Sequence, residues 1–320
     1  MNEFALIRQI FMPVAEATGT PAVRLGPGDD CAIQRLPPGT ELVFSIDTLV
    51  EGVHFPTAYS PRLLGWRSLA VAASDLAAMG ADPVCFTLAL TLPFSNEAWL
   101  KAFALGLSDA AKHFGLALAG GDTTRGPLTL SLQVHGTVPA GQAILRSGAR
   151  PGDLIGVSGT LGDARAALNW LNESSPSRPV RALLDRYHHP EAKLALGQLL
   201  RGRASAAVDV SDGLLADLGH ILVASRVGAR LIEHAIPRSA ALMALHSEQE
   251  ALAMALNGGD DYEICFTVAP DRWPSLEEVV SSSELTIIGE VIPESGIWLN
   301  DGHQDRTVIS AGYDHFGGDE

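Results

Sequence analysis

The sequence predicts an α/β protein in which strands and helices alternate along the chain, and three observations carry that prediction. Runs of period-two alternation, such as Leu42-Val43-Phe44-Ser45-Ile46-Asp47, are followed by longer runs with helical spacing, such as Arg62 to Met79. Glycines and aspartates cluster where the strands end, which is where α/β proteins place their ligands. The 320 residues, at about 150 per domain, make roughly two domains, each able to bury its own core.

Residues 3 to 18 have helical apolar spacing and stop at Gly19; Gly26-Pro27-Gly28-Asp29-Asp30 is a loop before the first alternating strand. Arg62 to Met79 reads as a long buried helix closed by Gly80, then come a strand at Val84 to Leu90 and a helix from Ser95 to Phe114. Leu116 to Ala119 is a short strand running into a glycine-rich loop, Gly120 to Gly126, and Leu128 to Val138 is an alternating strand. Turn residues at Gly148 to Asp153 mark the boundary between domains at 1–148 and 149–320. In the second half, Ala206 to Asp209 is a strand, Ser211 a helix N-cap, Leu214 to Val227 a helix, and Tyr262 to Val268 a strand introduced by Gly258-Gly259-Asp260-Asp261.

Composition narrows the function. Apolar residues at 47% and charged residues at 18% describe a globular chain, and no apolar run is long enough to span a membrane. The N-terminus lacks the positive charge of a signal peptide, which points to a cytoplasmic protein. Cys31, Cys85 and Cys265 form no CxxC pair and read as reduced and structural. With 37 acids against 22 bases the net charge is -15, which excludes a nucleic-acid footprint. A chain this acidic needs divalent cations to hold phosphates against its own carboxylates.

Walker-type, protein-kinase, GxSxG and HExxH motifs are all missing. What remains is the aspartate series. Ser45 and Asp47 share one face of their strand, opposite Phe44 and Ile46, so two hard oxygen donors meet at one site. Asp75 has Val71, Ala72, Ala78 and Met79 as its helix neighbours, and such a carboxylate wants a cation, an N-cap role or a salt bridge to Arg67. Asp209-Val-Ser-Asp212-Gly213 puts two acids and a hydroxyl at a strand-to-helix turn, where amides and the helix dipole favour phosphate, unless it is an ordinary capped turn. Arg146 and Arg125 are placed either to fork onto a phosphate or to make structural salt bridges.

Taken in order, Gly26-Pro-Gly-Asp-Asp-Cys-Ala32, Ser45-Ile-Asp-Thr-Leu-Val-Glu-Gly-Val-His-Phe55, Ser74-Asp-Leu-Ala-Ala-Met-Gly-Ala-Asp-Pro83, Gly120-Gly-Asp-Thr-Thr-Arg-Gly126, Asp209-Val-Ser-Asp-Gly213 and Gly258-Gly-Asp-Asp-Tyr-Glu263 resemble the thiamine-monophosphate kinases. These belong to the ATP-binding superfamily of aminoimidazole ribonucleotide synthetase and selenophosphate synthetase. The resemblance implies two domains, each a mixed sheet layered with helices, with a metal- and ATP-binding N-terminal domain that pairs in a homodimer and a C-terminal domain that completes the nucleotide and substrate site. It implies that Asp30, Ser45, Ile46 (through its backbone), Asp47, Asp75, Asp122, Asp209 and Asp212 are magnesium ligands, with Asp47, Asp122 and Asp212 central to catalysis. Gly121, Asp122, Arg146 and Ser211 are the implied nucleotide contacts; His54, Glu263 and an aromatic, Phe316 or Tyr313, the implied substrate contacts. Ala104 stands where a tyrosine near the nucleotide is expected.

The implied reaction moves the γ-phosphoryl group of ATP onto thiamine monophosphate with several magnesium ions; a potassium requirement is left open. A phosphate monoester is largely dianionic at neutral pH, so the acceptor needs no general base. Three other readings compete. A selenophosphate synthetase would carry a reactive Cys near its N-terminus, whereas no Cys precedes Cys31; an aminoimidazole ribonucleotide synthetase would not carry the kinase-like pattern of Asp47 to Phe55 and Asp260-Asp-Tyr-Glu263; and a noncatalytic metal- or nucleotide-binding protein would bind without turnover.

Overall fold

A computed structural model describes residues 3–280 and 284–309. The chain divides into two compact units, one reaching to Gln142 without Ala77–Gly80, the other made of Ala77–Gly80 and the chain from Ala143 onward.

In the first unit, β1 (Val23–Leu25) and β2 (Ile33–Gln34) form a small antiparallel pair. Then follow β3 (Thr40–Val50), helix α1 (Pro61–Ala78), β4 (Asp82–Leu92), helix α2 (Glu97–Phe114), β5 (Ala117–Arg125) and β6 (Thr129–Pro139). The main sheet has the order β3-β6-β4-β5, with β4 and β5 parallel across the α2 crossover and the other pairs antiparallel. Leu64, Leu69, Ala72, Ala73 and Leu76 are fully buried, as a helix apolar on most sides requires. α1 ends before a left-handed Gly80, and α2 is capped by the Asn96 side chain, which accepts from the Trp99 amide, and by a left-handed Gly115.

α1 and α2 cross without side chains between them. A Cβ at Gly106 would land on the Arg62 carbonyl oxygen, and one at Gly65 on the Phe103 carbonyl oxygen, so only glycine fits at either position.

One segment departs from expectation. Gly120 to Arg125, read from its glycines as a loop, continues strand β5, because a register shift after Phe86 lets it pair with Thr87 to Leu92 of β4. Gly121 is needed there, since a Cβ would strike the Leu88 carbonyl of β4.

In the second unit, β7 (Leu154–Ser158), helix α3 (Arg178–His188), β8 (Ala204–Asp209), helix α4 (Leu214–Ser225), β9 (Gly228–Ile232), helix α5 (Glu248–Asn257), β10 (Ile264–Val268), β11 (Leu285–Ile292), β12 (Gly296–Asn300) and β13 (Asp305–Val308) follow in turn. They form a sheet of order β13-β12-β9-β11-β7-β10-β8, in which only β12 and β9 pair parallel. Val157, Val208, Leu214, Leu218, Ile221 and Cys265 belong to its core. Both main sheets are mixed and layered with helices, the α/β architecture expected. The cap of α4 is Gly213, with φ 113°, and not Ser211, which lies further back in the loop. No helix among the described residues is long and apolar enough to cross a membrane.

Candidate functional site

In the first unit, alternation along β3 turns Ser45 and Asp47 to the face that α1 covers, and the Ser45 hydroxyl donates to the Asp75 carboxylate. α1 runs unbroken through Asp75, which removes the N-cap reading of that residue. Asp75 is half-buried between buried Ala72, Ala73, Leu76 and Ala78. At the end of β3 the chain turns through Gly52, with φ 81°, and the Val50 amide donates to His54 Nδ1 at 3.1 Å, so a neutral His54 carries its proton on Nε2. Asp30 lies in the exposed loop before β2, its amide donating to Asp29 Oδ1 at 2.8 Å. Ile46 projects its side chain outward, 63% exposed, leaving only its backbone to act, on the edge strand of the sheet.

The register separates two residues that the resemblance names as magnesium ligands. Asp47 lies in the row Leu132, Leu88, Gly121, whereas Asp122 lies in the next row with Thr48, Ser131 and Ala89. Neighbouring rows point to opposite faces, so Asp47 and Asp122 of one chain leave the sheet on opposite sides.

In the second unit, β8 ends on Asp209, which is buried, and the loop after it holds Ser211 and Asp212, which are half-buried. Its amides do not await a phosphate. Ser211, Asp212 and Gly213 all donate to Asp217 Oδ2, at 3.0, 3.0 and 3.1 Å, so an internal carboxylate takes the donors that the sequence assigned to an anion. Burial first, and then the charges of Asp209 and Asp212, push the Asp217 carboxyl up to about 7, against the pull of the amides.

The Gly258 to Glu263 segment is stitched to this loop. The Asp260 amide donates to the Ser211 carbonyl at 2.8 Å, the Tyr262 amide to Val210 at 2.9 Å, and the Val210 amide to Glu263 at 2.8 Å. Asp260 and Tyr262 accept left-handed backbone, with φ 74° and 51°, to make these bonds, and such strain persists only where the surroundings impose it.

Glu263 itself is wholly buried. It receives Arg186 at 2.6 Å, Lys193 at 3.3 Å and the Ser158 hydroxyl. Its charge is therefore offset by two cations of its own unit, whereas the resemblance implies a contact to the substrate. Burial works against the Arg186 charge, but Glu263, Asp261 and Asp163 together hold that guanidinium above its ordinary pKa. Burial pushes the Asp261 carboxyl well up, although the Gly162 amide at 2.7 Å and Arg186 act in the other direction. Arg146 is exposed and pairs with no acid among the described residues, which suits a phosphate fork. Phe316 and Tyr313 lie outside the described residues.

Among the described residues no three His, Cys, Asp or Glu side chains converge on a point that could hold a metal. What each unit offers is a pair or row of hard oxygens: Ser45, Asp47 and Asp75 in one, Asp209 and Asp212 in the other. That donor set suits magnesium, which keeps waters and phosphate oxygens among its ligands. Sequence reasoning missed Asp217, Arg186 and Lys193. Asp217 had a signal, an acid in an otherwise apolar helix, and Lys193 is one of only three lysines in the chain.

Residues 28–138 match the family described as AIR synthase related protein, N-terminal domain, and residues 140–300 match its C-terminal domain. The thiamine-monophosphate kinase of Salmonella typhimurium is 44% identical over 322 residues, spanning 98% of each chain. The chain belongs to the thiamine-monophosphate kinase family. Among solved structures of thiamine-monophosphate kinases, that from Stenotrophomonas maltophilia K279a is 44% identical, with a TM-score of 0.86 over 94% of this chain and 97% of that one. The structure of AaThiL complexed with AMPPCP and TMP is 30% identical, with a TM-score of 0.79 over 98% of this chain and 97% of that one.

Proposed function

We propose that this protein transfers the γ-phosphoryl group of ATP to thiamine monophosphate, giving thiamine diphosphate and ADP. The observation that carries the reading is the 44% identity to a thiamine-monophosphate kinase across both units. A relative crystallised with AMPPCP and TMP supports the same pair of substrates.

The oxygens of Ser45, Asp47, Asp75, Asp209 and Asp212, the Ile46 carbonyl, Asp30 and Asp122 are proposed to hold magnesium. When bound, magnesium neutralises phosphate charge and so lets two anions approach for an in-line transfer. Arg146 and Ser211, with the backbone at Gly121, are proposed to position the nucleotide phosphates, and His54 and Glu263 to contribute to the substrate site. No residue has to take a proton from the acceptor, because its phosphate is already largely dianionic at neutral pH.

A homodimer is also proposed. Leu42, Phe44 and Ile46 stand on the sheet face away from α1 and are 39%, 59% and 63% exposed, an apolar stripe that a second copy would cover. Asp122 leaves the sheet on that same face, so pairing would carry it toward the other copy. We place the enzyme in the cytoplasm, where ATP and thiamine monophosphate are available to it.

The test incubates purified protein with magnesium and ATP, with and without thiamine monophosphate, and separates thiamine species and nucleotides by chromatography. Thiamine diphosphate formed one-for-one with ADP is expected. ADP without it would mean another acceptor or hydrolysis, and no ADP would favour a binding protein.

A further inference from the structure

The loop Asp209 to Gly213 poses a problem that its motif does not solve. Three successive amides pointing at one place make an anion nest, and at the start of a helix the usual guest is a phosphate. Here the guest is Asp217 Oδ2, at 3.0, 3.0 and 3.1 Å from the Ser211, Asp212 and Gly213 nitrogens. Asp217 stands in the first turn of α4 and reaches backwards, while its own amide donates to the Gly213 carbonyl at 3.0 Å, closing the loop onto the helix. Its side chain is buried, and the magnesium and nucleotide assignments do not use it.

We propose that Asp217 is a positioning residue: by gathering the three amides it sets the backbone of the loop, and thereby where Asp209, Ser211 and Asp212 present their oxygens to magnesium and nucleotide. This rests on the functional reading above. An anion inside the nest turns its amides away from any phosphate, so phosphate is met at this loop through metal and hydroxyl. Releasing the amides would leave the buried Gly213 donor and the half-buried Ser211 and Asp212 donors unsatisfied, and the loop would re-form around water.

The test uses the full chain with Asp217→Ala and Asp217→Asn, the second keeping an acceptor oxygen in nearly the same shape. Equilibrium titration with AMPPCP at graded magnesium gives the metal concentration for half-maximal nucleotide binding, and backbone hydrogen exchange reports on residues 211–213. In Asp217→Ala the magnesium requirement is expected to rise about tenfold or more and the three amides to exchange about tenfold or more faster, while the KM for thiamine monophosphate at saturating magnesium shifts less than about twofold. Asp217→Asn, with a neutral acceptor, falls between, at about two- to fivefold.

A well-folded Asp217→Ala with an unshifted magnesium requirement overturns the proposal. Where that variant does not fold, fast exchange of the three amides in the wild-type protein, or an unshifted Asp217→Asn, overturns it instead. The magnesium requirement and the amide exchange, which decide the proposal, are read without turnover; only the KM needs it. A wild-type protein that made no thiamine diphosphate would therefore sink the functional reading and leave this test standing.

Discussion

Replacing Gly106 by alanine sets two physical effects of opposite sign against each other. Helix propensity alone makes the change stabilising by about 1 kcal/mol, because glycine in a helix interior costs backbone entropy. The structure says otherwise. The added methyl would fall on the Arg62 carbonyl oxygen, 2.8 Å from its carbon and 3.1 Å from the Arg62 Cα, against 3.4 Å or more for ordinary contact. Neither side can rotate away, since the obstacle is the backbone of α1, so α1 and α2 must part. Parting loosens Leu64, Phe103 and Leu107, all fully buried. Overpacking costs about 1–3 kcal/mol and sometimes more, and overlap with a backbone carbonyl puts this case at the top of that range, so the net effect is a loss of about 2 kcal/mol or more after the propensity gain. For a chain of this size, at about 1.5 °C per kcal/mol, that lowers Tm by about 3 °C or more, read by scanning calorimetry alongside the urea midpoint. A Gly106→Ala protein with a raised Tm would refute the close approach of the helices.

Asp47→Asn and Asp122→Asn are each expected to abolish turnover even at saturating magnesium while leaving the melting curve near wild type; substantial retained turnover would remove those residues from the site. Arg186→Met strips a buried carboxylate of its nearer cation, and breaking such a pair costs about 3–5 kcal/mol, so a double-mutant cycle with Glu263→Gln is expected to return a coupling of about 1–3 kcal/mol by urea denaturation. Asp217 titrates near 7 when folded and near its ordinary 3.8 when unfolded. In metal-free protein the folded state thus binds the extra proton between those values, and stability from this group is full below about 4 and is lost as the pH rises through 7, by about 4 kcal/mol at most. Urea midpoints at pH 5 and pH 8 in the presence of a chelator should show that fall, and Asp217→Asn should flatten it.

Much of this was written locally in the chain. The alternation of Leu42 to Asp47 is a period-two signal with one apolar and one polar face, and the alanine-rich run around Asp75 admits little but a buried helix, so both elements were legible. β5 was not, because its strand character comes from pairing with β4 while its composition is that of a turn. The separation of Asp47 from Asp122 depends on register across four strands, which no single segment encodes. Asp217 was hidden for another reason: its partners are backbone amides, which carry no side-chain signature. The partners of Glu263 lie 77 and 70 positions away, at Arg186 and Lys193, too far for spacing to reveal.

The bare apolar stripe of Leu42, Phe44 and Ile46 has a cost at the moment of synthesis. It sits on an edge strand, and a newly made chain exposes it before the proposed homodimer can form, when strand edges and apolar surface are the usual seeds of precipitation. The net charge of -15 acts as a colloidal counterweight, keeping like chains apart until a well-matched encounter overcomes the repulsion. Salt should then cut both ways, quickening the matched encounter and the mismatched ones together.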